Sequence, residues 1–296
     1  MGLIKSVVQP VAQSVLQRID GVTGVGLARR FSGCVGAYSL QDIGGTGPVI
    51  DVREGSTTTS YTAAQVANGE HVSGATGSRF VSKWYDQSGD GNHLVQNTTS
   101  FQPKVTYNNG SAVTDSKGNY AIFFNPEETA NTNTGTQSHF LQTNDSYFIK
   151  SIFHVSTQLK VQAFNINFSP IIGQEGQNKS YIFYPGAALN YAISMDGDGT
   201  VQDSGTWYKN GASGLNGGNV GSASDIVHNT TALYNIIYDS GDPGAVLNTI
   251  GKFGGAPGTL AYYWRGTMTE VLIYNEYKND DRVAIRDDIN SRYDIF

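Results

Sequence analysis

Ala232-Leu233-Tyr234-Asn235-Ile236-Ile237-Tyr238 and Glu270-Val271-Leu272-Ile273-Tyr274 are the two runs on which the fold turns. In the first, Tyr234, Ile236 and Tyr238 alternate with Asn235, Ile237 and Asp239, the period of two that marks a half-buried strand. In the second, apolar residues occupy both faces, which predicts a central strand covered on both sides.

Working outward, similar short runs recur along the chain. They include Ala37 to Leu40, Val49 to Val52, Phe80 to Tyr85, Ala121 to Phe124, Phe148 to Val155, Tyr181 to Tyr184, Tyr191 to Ser194 and Thr206 to Lys209. Gly, Asn, Asp and Ser punctuate them, and many short strands joined by polar turns indicate a β-sandwich. Glycine, at 36 of 296 residues, fits tight turns, and since all-β sandwiches run to roughly 200 to 250 residues as one unit, one large core plus a tail fits the length. Residues 279 to 293 are a helical candidate, with Asn279 as cap and Ile285, Ile289 and Tyr293 at i, i+4 spacing.

The net charge of -6 is spread without a Lys/Arg run, so nucleic acid is excluded as a main partner. A single cysteine, Cys34, excludes an internal disulfide and reads as a small buried hydrophobe. No stretch approaches the roughly 18 apolar residues of a spanning helix, and no signal-peptide pattern opens the chain, so assembly inside a cell is expected.

The first twenty residues differ in kind. Leu3, Ile4, Val7, Val8, Val11, Val15, Leu16 and Ile19 form an apolar stripe, with Gln9, Gln13 and Gln17 on another face. Pro10 removes a backbone donor, so the regular helix is expected from Gln9 or Pro10, with Gly2 to Val8 extended and Gly21 as the stop. So short a helix needs cover, whether from its own sandwich, a larger assembly, a bundle or a membrane surface. The glycine-rich stretch from Gly21 to Gly26 favours docking at a distance, and Lys5 and Arg18 alone make a poor membrane face. The division is therefore residues 1–27 as attachment segment and hinge and residues 28–296 as sandwich.

Trp84-Tyr85-Asp86-Gln87-Ser88-Gly89-Asp90-Gly91-Asn92-His93-Leu94-Val95-Gln96 closely resembles a motif in the catalytic jelly-roll domain of the α-L-arabinofuranosidase B family. Gly36 to Leu40, Gly47 to Arg53 and Gln102 to Val105 are similar to blocks around that motif in the family and in many phage structural proteins. Gly266 to Asn275 with the following helix looks like the end of laminin-G-like, concanavalin-type domains, so the resemblances bracket residues 31 to 293. They imply a concanavalin A-like antiparallel jelly roll, here with an N-terminal amphipathic helical tether and a short C-terminal helix.

In the motif itself, Asp and Asn side chains suit a tight loop and Gly89 and Gly91 suit positive φ, which is a scaffold reading. The functional reading makes Trp84, Tyr85, Asp86, Asn92 and His93 part of a sugar site. Trp207, Tyr262, Tyr263 and Trp264 are further stacking candidates, with ordinary strand packing as the alternative.

Glycoside hydrolysis needs two carboxyls about 5 to 5.5 Å apart for retention. The resemblance sets Asp196 of Met195-Asp196-Gly197-Asp198 against the family's nucleophile, while its acid/base position falls at Gly254 or Gly255. The expectation is a chain that is not an enzyme, with a divergent arabinofuranosidase-type hydrolase as the alternative, its acid a carboxylate such as Asp239 or Asp242. No cofactor is expected; Asp196 and Asp198 are a Ca²⁺ candidate against a plain hairpin turn. The resemblance implies the virus context, a phage virion protein exposed on the particle, and the N-terminal stripe adds the expectation of a homo-oligomer held to other virion proteins through residues 1–20. Its sandwich would meet surface glycans or serve only as cement or fibre.

Overall fold

The computed structural model describes residues 30–45, 47–124, 139–159, 169–173, 180–185, 190–195, 201–202, 205–216, 229–238, 245–254 and 261–296. The attachment stripe and its hinge lie outside them. The strands are β1 (Cys34–Ser39), β2 (Pro48–Glu54), β3 (Thr57–Thr62), β4 (Phe80–Trp84), β5 (Leu94–Val95), β6 (Ile122–Phe124), β7 (Leu141–Ile149), β8 (Ser151–Gln158), β9 (Ser169–Gly173) and β10 (Ser180–Pro185). They continue with β11 (Asn190–Met195), β12 (Val201–Gln202), β13 (Gly205–Lys209), β14 (Ala212–Asn216), β15 (Thr231–Tyr238), β16 (Ala245–Ile250), β17 (Lys252–Gly254), β18 (Ala261–Tyr263) and β19 (Gly266–Tyr274). Two described α-helices, α1 (Ala63–Ala67) and α2 (Arg282–Tyr293), complete the set.

Among the described residues the strands form two large antiparallel sheets stacked as a jelly-roll-like sandwich, with β17 and β18 paired as a separate two-stranded sheet. One runs β1-β19-β8-β15-β13-β14, with β6 also on β19; the other runs β12-β11-β10-β9-β16-β7-β5-β4-β2-β3. Their facing sides interdigitate Ile50, Val52, Val81, Trp84, Leu94 and Leu141 with Ile152, Tyr234, Ile236, Val271 and Ile273 in one hydrophobic core. The run Phe148 to Val155, read in the sequence as one strand, is two: Phe148 and Ile149 end β7 in the larger sheet, and β8 begins past Lys150 in the smaller. The chain changes sheets there without glycine or proline.

α2 supplies a third layer. Ile285, Ile289 and Tyr293 pack with Phe153, Val155, Leu233, Leu272 and Tyr274 on the far side of the smaller sheet. This is why all nine residues of β19 are buried, as its unbroken apolar run requires. It also corrects the reading of β15: all eight of its residues are buried, Asn235 included, because the supposed solvent face lies in the layer beneath α2. The helix starts at Arg282, not at Asn279; Asp281 is its N-cap but makes no capping bond and instead pairs with Lys278 Nζ at 3.2 Å.

A buried ion pair ties helix to sheet. Glu270 is fully buried; its carboxylate accepts from Arg292 and from Tyr293 Oη at 3.0 Å, and Tyr293 Oη also bonds Ser39 Oγ at 2.9 Å.

Candidate functional site

The loop between β4 and β5 is the most specific stretch of the sequence. The alternation of β4 sends Trp84 into the core, where its ring lies 5.7 Å from that of Tyr38. Asp86 follows, largely buried, and its carboxylate accepts from Ala37 N at 2.9 Å, Ser88 N at 2.9 Å, Ser88 Oγ at 2.7 Å and Asn92 N at 3.1 Å. Gly89 and Gly91 take φ of 100° and 77°, which lets the chain wrap round that carboxylate. Gln87 donates to Ser39 O and Gln41 O and accepts from Ile43 N, while Asn92 donates to Val35 O at 2.8 Å. The loop thus binds β1 of one sheet to β4 and β5 of the other. His93 Nδ1 accepts from Asp86 N at 3.1 Å, and Tyr85 Oη donates to Asp51 at 3.1 Å, the two rings meeting edge to face at 4.9 Å.

The other sequence candidates fall as follows. Trp264 is fully buried. Trp207 stands in β13 opposite Ile236, and Tyr262 and Tyr263 in β18 pair with Phe253 and Lys252 of β17. Asp196, Asp198, Asp239 and Asp242 lie outside the described residues. Cys34 is half-buried, its thiol pushed up to about 12 by burial. Among the described residues no group of three or more His, Cys, Asp or Glu is disposed to hold a metal.

Tertiary structure adds a groove that the sequence does not announce. About 820 Å³ in volume, it is walled by Leu40, Gln41, Asp42, Gly45 and Gly47, by α1, and by Gly118, Asn119 and Tyr120. Each wall has a local cause. Thr62 and Gln65 form a reciprocal capping box that starts α1 directly after β3. Asp115 accepts from Lys117 N and Asn119 N in an Asx turn, with Gly118 at φ 89°. Behind the groove, Tyr120 meets His71 edge-on at 4.6 Å, and His71 meets Tyr61 at 6.3 Å. Asp42 is the carboxylate among the described lining residues; Gln41, Thr62 and Asn119 add neutral polar groups. The capping box and the Asp-Ser-Lys-Gly-Asn turn are both readable locally, but nothing in the sequence says they face one another.

His71 is almost fully buried, and its Nδ1 has no hydrogen-bond partner. Burial, then the charge of Arg79, lowers its pKa from 6.5 to about 4; burial alone lowers His154 to about 3. Both pKa values are lower in the folded than in the unfolded chain, so the unfolded state takes up protons first. Stability is therefore complete above pH 6.5 and lost as the pH falls toward 4 and then 3. The His71 share is on the order of 3 kcal/mol. Urea midpoints measured down this pH range should fall steeply for the parent and less steeply for His71→Gln; equal slopes would refute the assignment.

No protein-family model and no curated protein matches the chain. Three solved structures are similar to it. A mutant GH54 α-L-arabinofuranosidase soaked with 4-nitrophenyl α-L-arabinofuranoside is 14% identical with a TM-score of 0.48, covering 88% of this chain and 63% of that one. An arabinofuranosidase complexed with arabinofuranosyl-α-1,2-xylobiose is 14% identical with a TM-score of 0.47, covering 92% and 65%. A GH54 α-L-arabinofuranosidase soaked with a cyclic sulfate inhibitor gives 14% and 0.44, covering 88% and 63%. The chain thus spans less than two thirds of the length of these structures. The expectation of a chain that is not an enzyme is withdrawn: the three similar structures are arabinofuranosidases, a likeness of fold alone.

Proposed function

We propose that the chain is a sugar-directed β-sandwich whose groove between Leu40–Gly45, α1 and Gly118–Tyr120 holds a glycan. The groove itself carries this reading. Its volume, about 820 Å³, lies within the roughly 300 to 1,000 Å³ of small-ligand clefts. The Tyr120 ring offers a sugar an apolar face, and Asp42, Gln41, Thr62 and Asn119 offer hydroxyl partners. We further place the sandwich on a phage particle, carried by residues 1–20. The apolar stripe and the following glycines support that placement, and multiple copies would raise a weak single-site affinity.

The test is calorimetric titration of arabino-oligosaccharides and neutral glycans into the parent, Asp42→Asn and Ala67→Trp. Ala67 is exposed and lines the groove, so tryptophan there fills it without touching the core. Both variants are expected to bind about tenfold more weakly or worse, a loss of about 1.4 kcal/mol. Release of 4-nitrophenol from the arabinofuranoside is followed in parallel, and its loss in Asp42→Asn would make the groove a reaction site. A chain lacking residues 1–20 should keep its sugar and lose incorporation into particles. Undiminished binding by both groove variants would overturn the reading.

A further inference from the structure

A second cavity, about 230 Å³, opens along the β2–β3 hairpin and is lined by Val52, Glu54, Thr57, Thr59, Tyr61 and Arg79. Arg79 is its distinctive member. The side chain is 11% exposed, yet it carries a guanidinium, a group almost never buried unless paired. One terminal nitrogen donates to His71 O at 3.1 Å, and the other lies 2.8 Å from Glu54 Oε2. Its Nε is buried without an acceptor. Arg79 therefore sits in a cavity wall with its donor fork partly unused.

Glu54 is a weak occupant of that fork. Its side chain is 52% exposed and touches the guanidinium through one oxygen, so water competes for it. A ligand carboxylate offering two oxygens would satisfy the fork better, in the bidentate geometry that guanidinium prefers. A single cationic group matches one negative charge, and the Thr57 and Thr59 hydroxyls with the Tyr61 phenol suit a ring bearing hydroxyls. The cavity is smaller than the roughly 300 Å³ at which pockets for drug-sized ligands begin, so it admits one ring and not a chain.

We propose that this cavity is a site for a uronate unit, whose carboxylate replaces Glu54 on Arg79 while its hydroxyls meet Thr57, Thr59 and Tyr61. The ligand class rests on the sugar-directed reading above; the site does not use the groove. Glu54 is then a resident stand-in for the ligand, and removing its charge strengthens binding.

Sodium glucuronate, glucose and inorganic phosphate are titrated into the full-length parent, Glu54→Gln, Arg79→Gln and Ala67→Trp, with chemical-shift or heat readout. Glucuronate should bind the parent, bind Glu54→Gln about tenfold more tightly, and bind Ala67→Trp as it does the parent. Glucose should not bind at this site. Because Glu54 is exposed, Glu54→Gln folds even if Arg79→Gln does not. No glucuronate binding by Glu54→Gln, or phosphate binding as tight as glucuronate, overturns the proposal. Glucuronate binding in a protein that fails the neutral-glycan test overturns the groove alone.

Discussion

Asp86→Ala is expected to lower stability by roughly 4 kcal/mol, a large part of a domain total of about 5 to 15 kcal/mol. The carboxylate holds four donors, three of them backbone N–H groups, and one of these, Ala37 N, belongs to a strand of the opposite sheet. Hydrogen bonds to a charged group contribute about 1.5 to 3 kcal/mol each and are not additive, so the estimate takes less than their sum. Asp86→Asn keeps one acceptor oxygen but turns an NH₂ toward donors, and should lose about half as much. Denaturant midpoints with an unchanged slope would check both. A fully stable Asp86→Ala protein that had lost its sugar would instead make the loop a binding site and not the latch between sheets.

Arg292→Met should cost about 3 to 5 kcal/mol, because it strands the Glu270 carboxylate in a fully buried position with Tyr293 Oη as its remaining donor. Glu270→Ala should cost less, since Arg292 keeps Asp288 and is 16% exposed. The double variant Glu270→Leu with Arg292→Met removes both charges from a layer already lined by Leu272, Ile285 and Ile289, and should regain most of the loss. Thermal midpoints of the three proteins decide it. If the double variant is no better than Arg292→Met, the pair is not the anchor of α2.

Glu270 also shows where local reading ends. In the sequence it is one acidic residue at the start of an apolar run; only the arrival of α2 over the sheet makes it a buried charge. The alternation of β15 holds, with Tyr234, Ile236 and Tyr238 in the core between the sheets, but the same helix covers its other face, so that Asn235 is fully buried too. The break at Lys150, where the chain passes between sheets, carries no turn residue to announce it.

What the sequence by itself determined is therefore the β class, the doubly covered last strand, the α2 stripe of Ile285, Ile289 and Tyr293, and the turn chemistry of Asp86 to Asn92. All of these depend on periods of two or about 3.6 residues, or on side chains bonding backbone a few positions away, and such forces act within a short window of chain. The tertiary structure decided the pairing of Cys34 with Tyr274, the role of Asp86 as a clasp on β1, the facing walls of the groove, and the meeting of Arg79 with Glu54 in one cavity. Those depend on which distant strands close the sandwich. Closure is chosen by the burial of the whole apolar surface at once, a quantity that no single stretch of sequence contains.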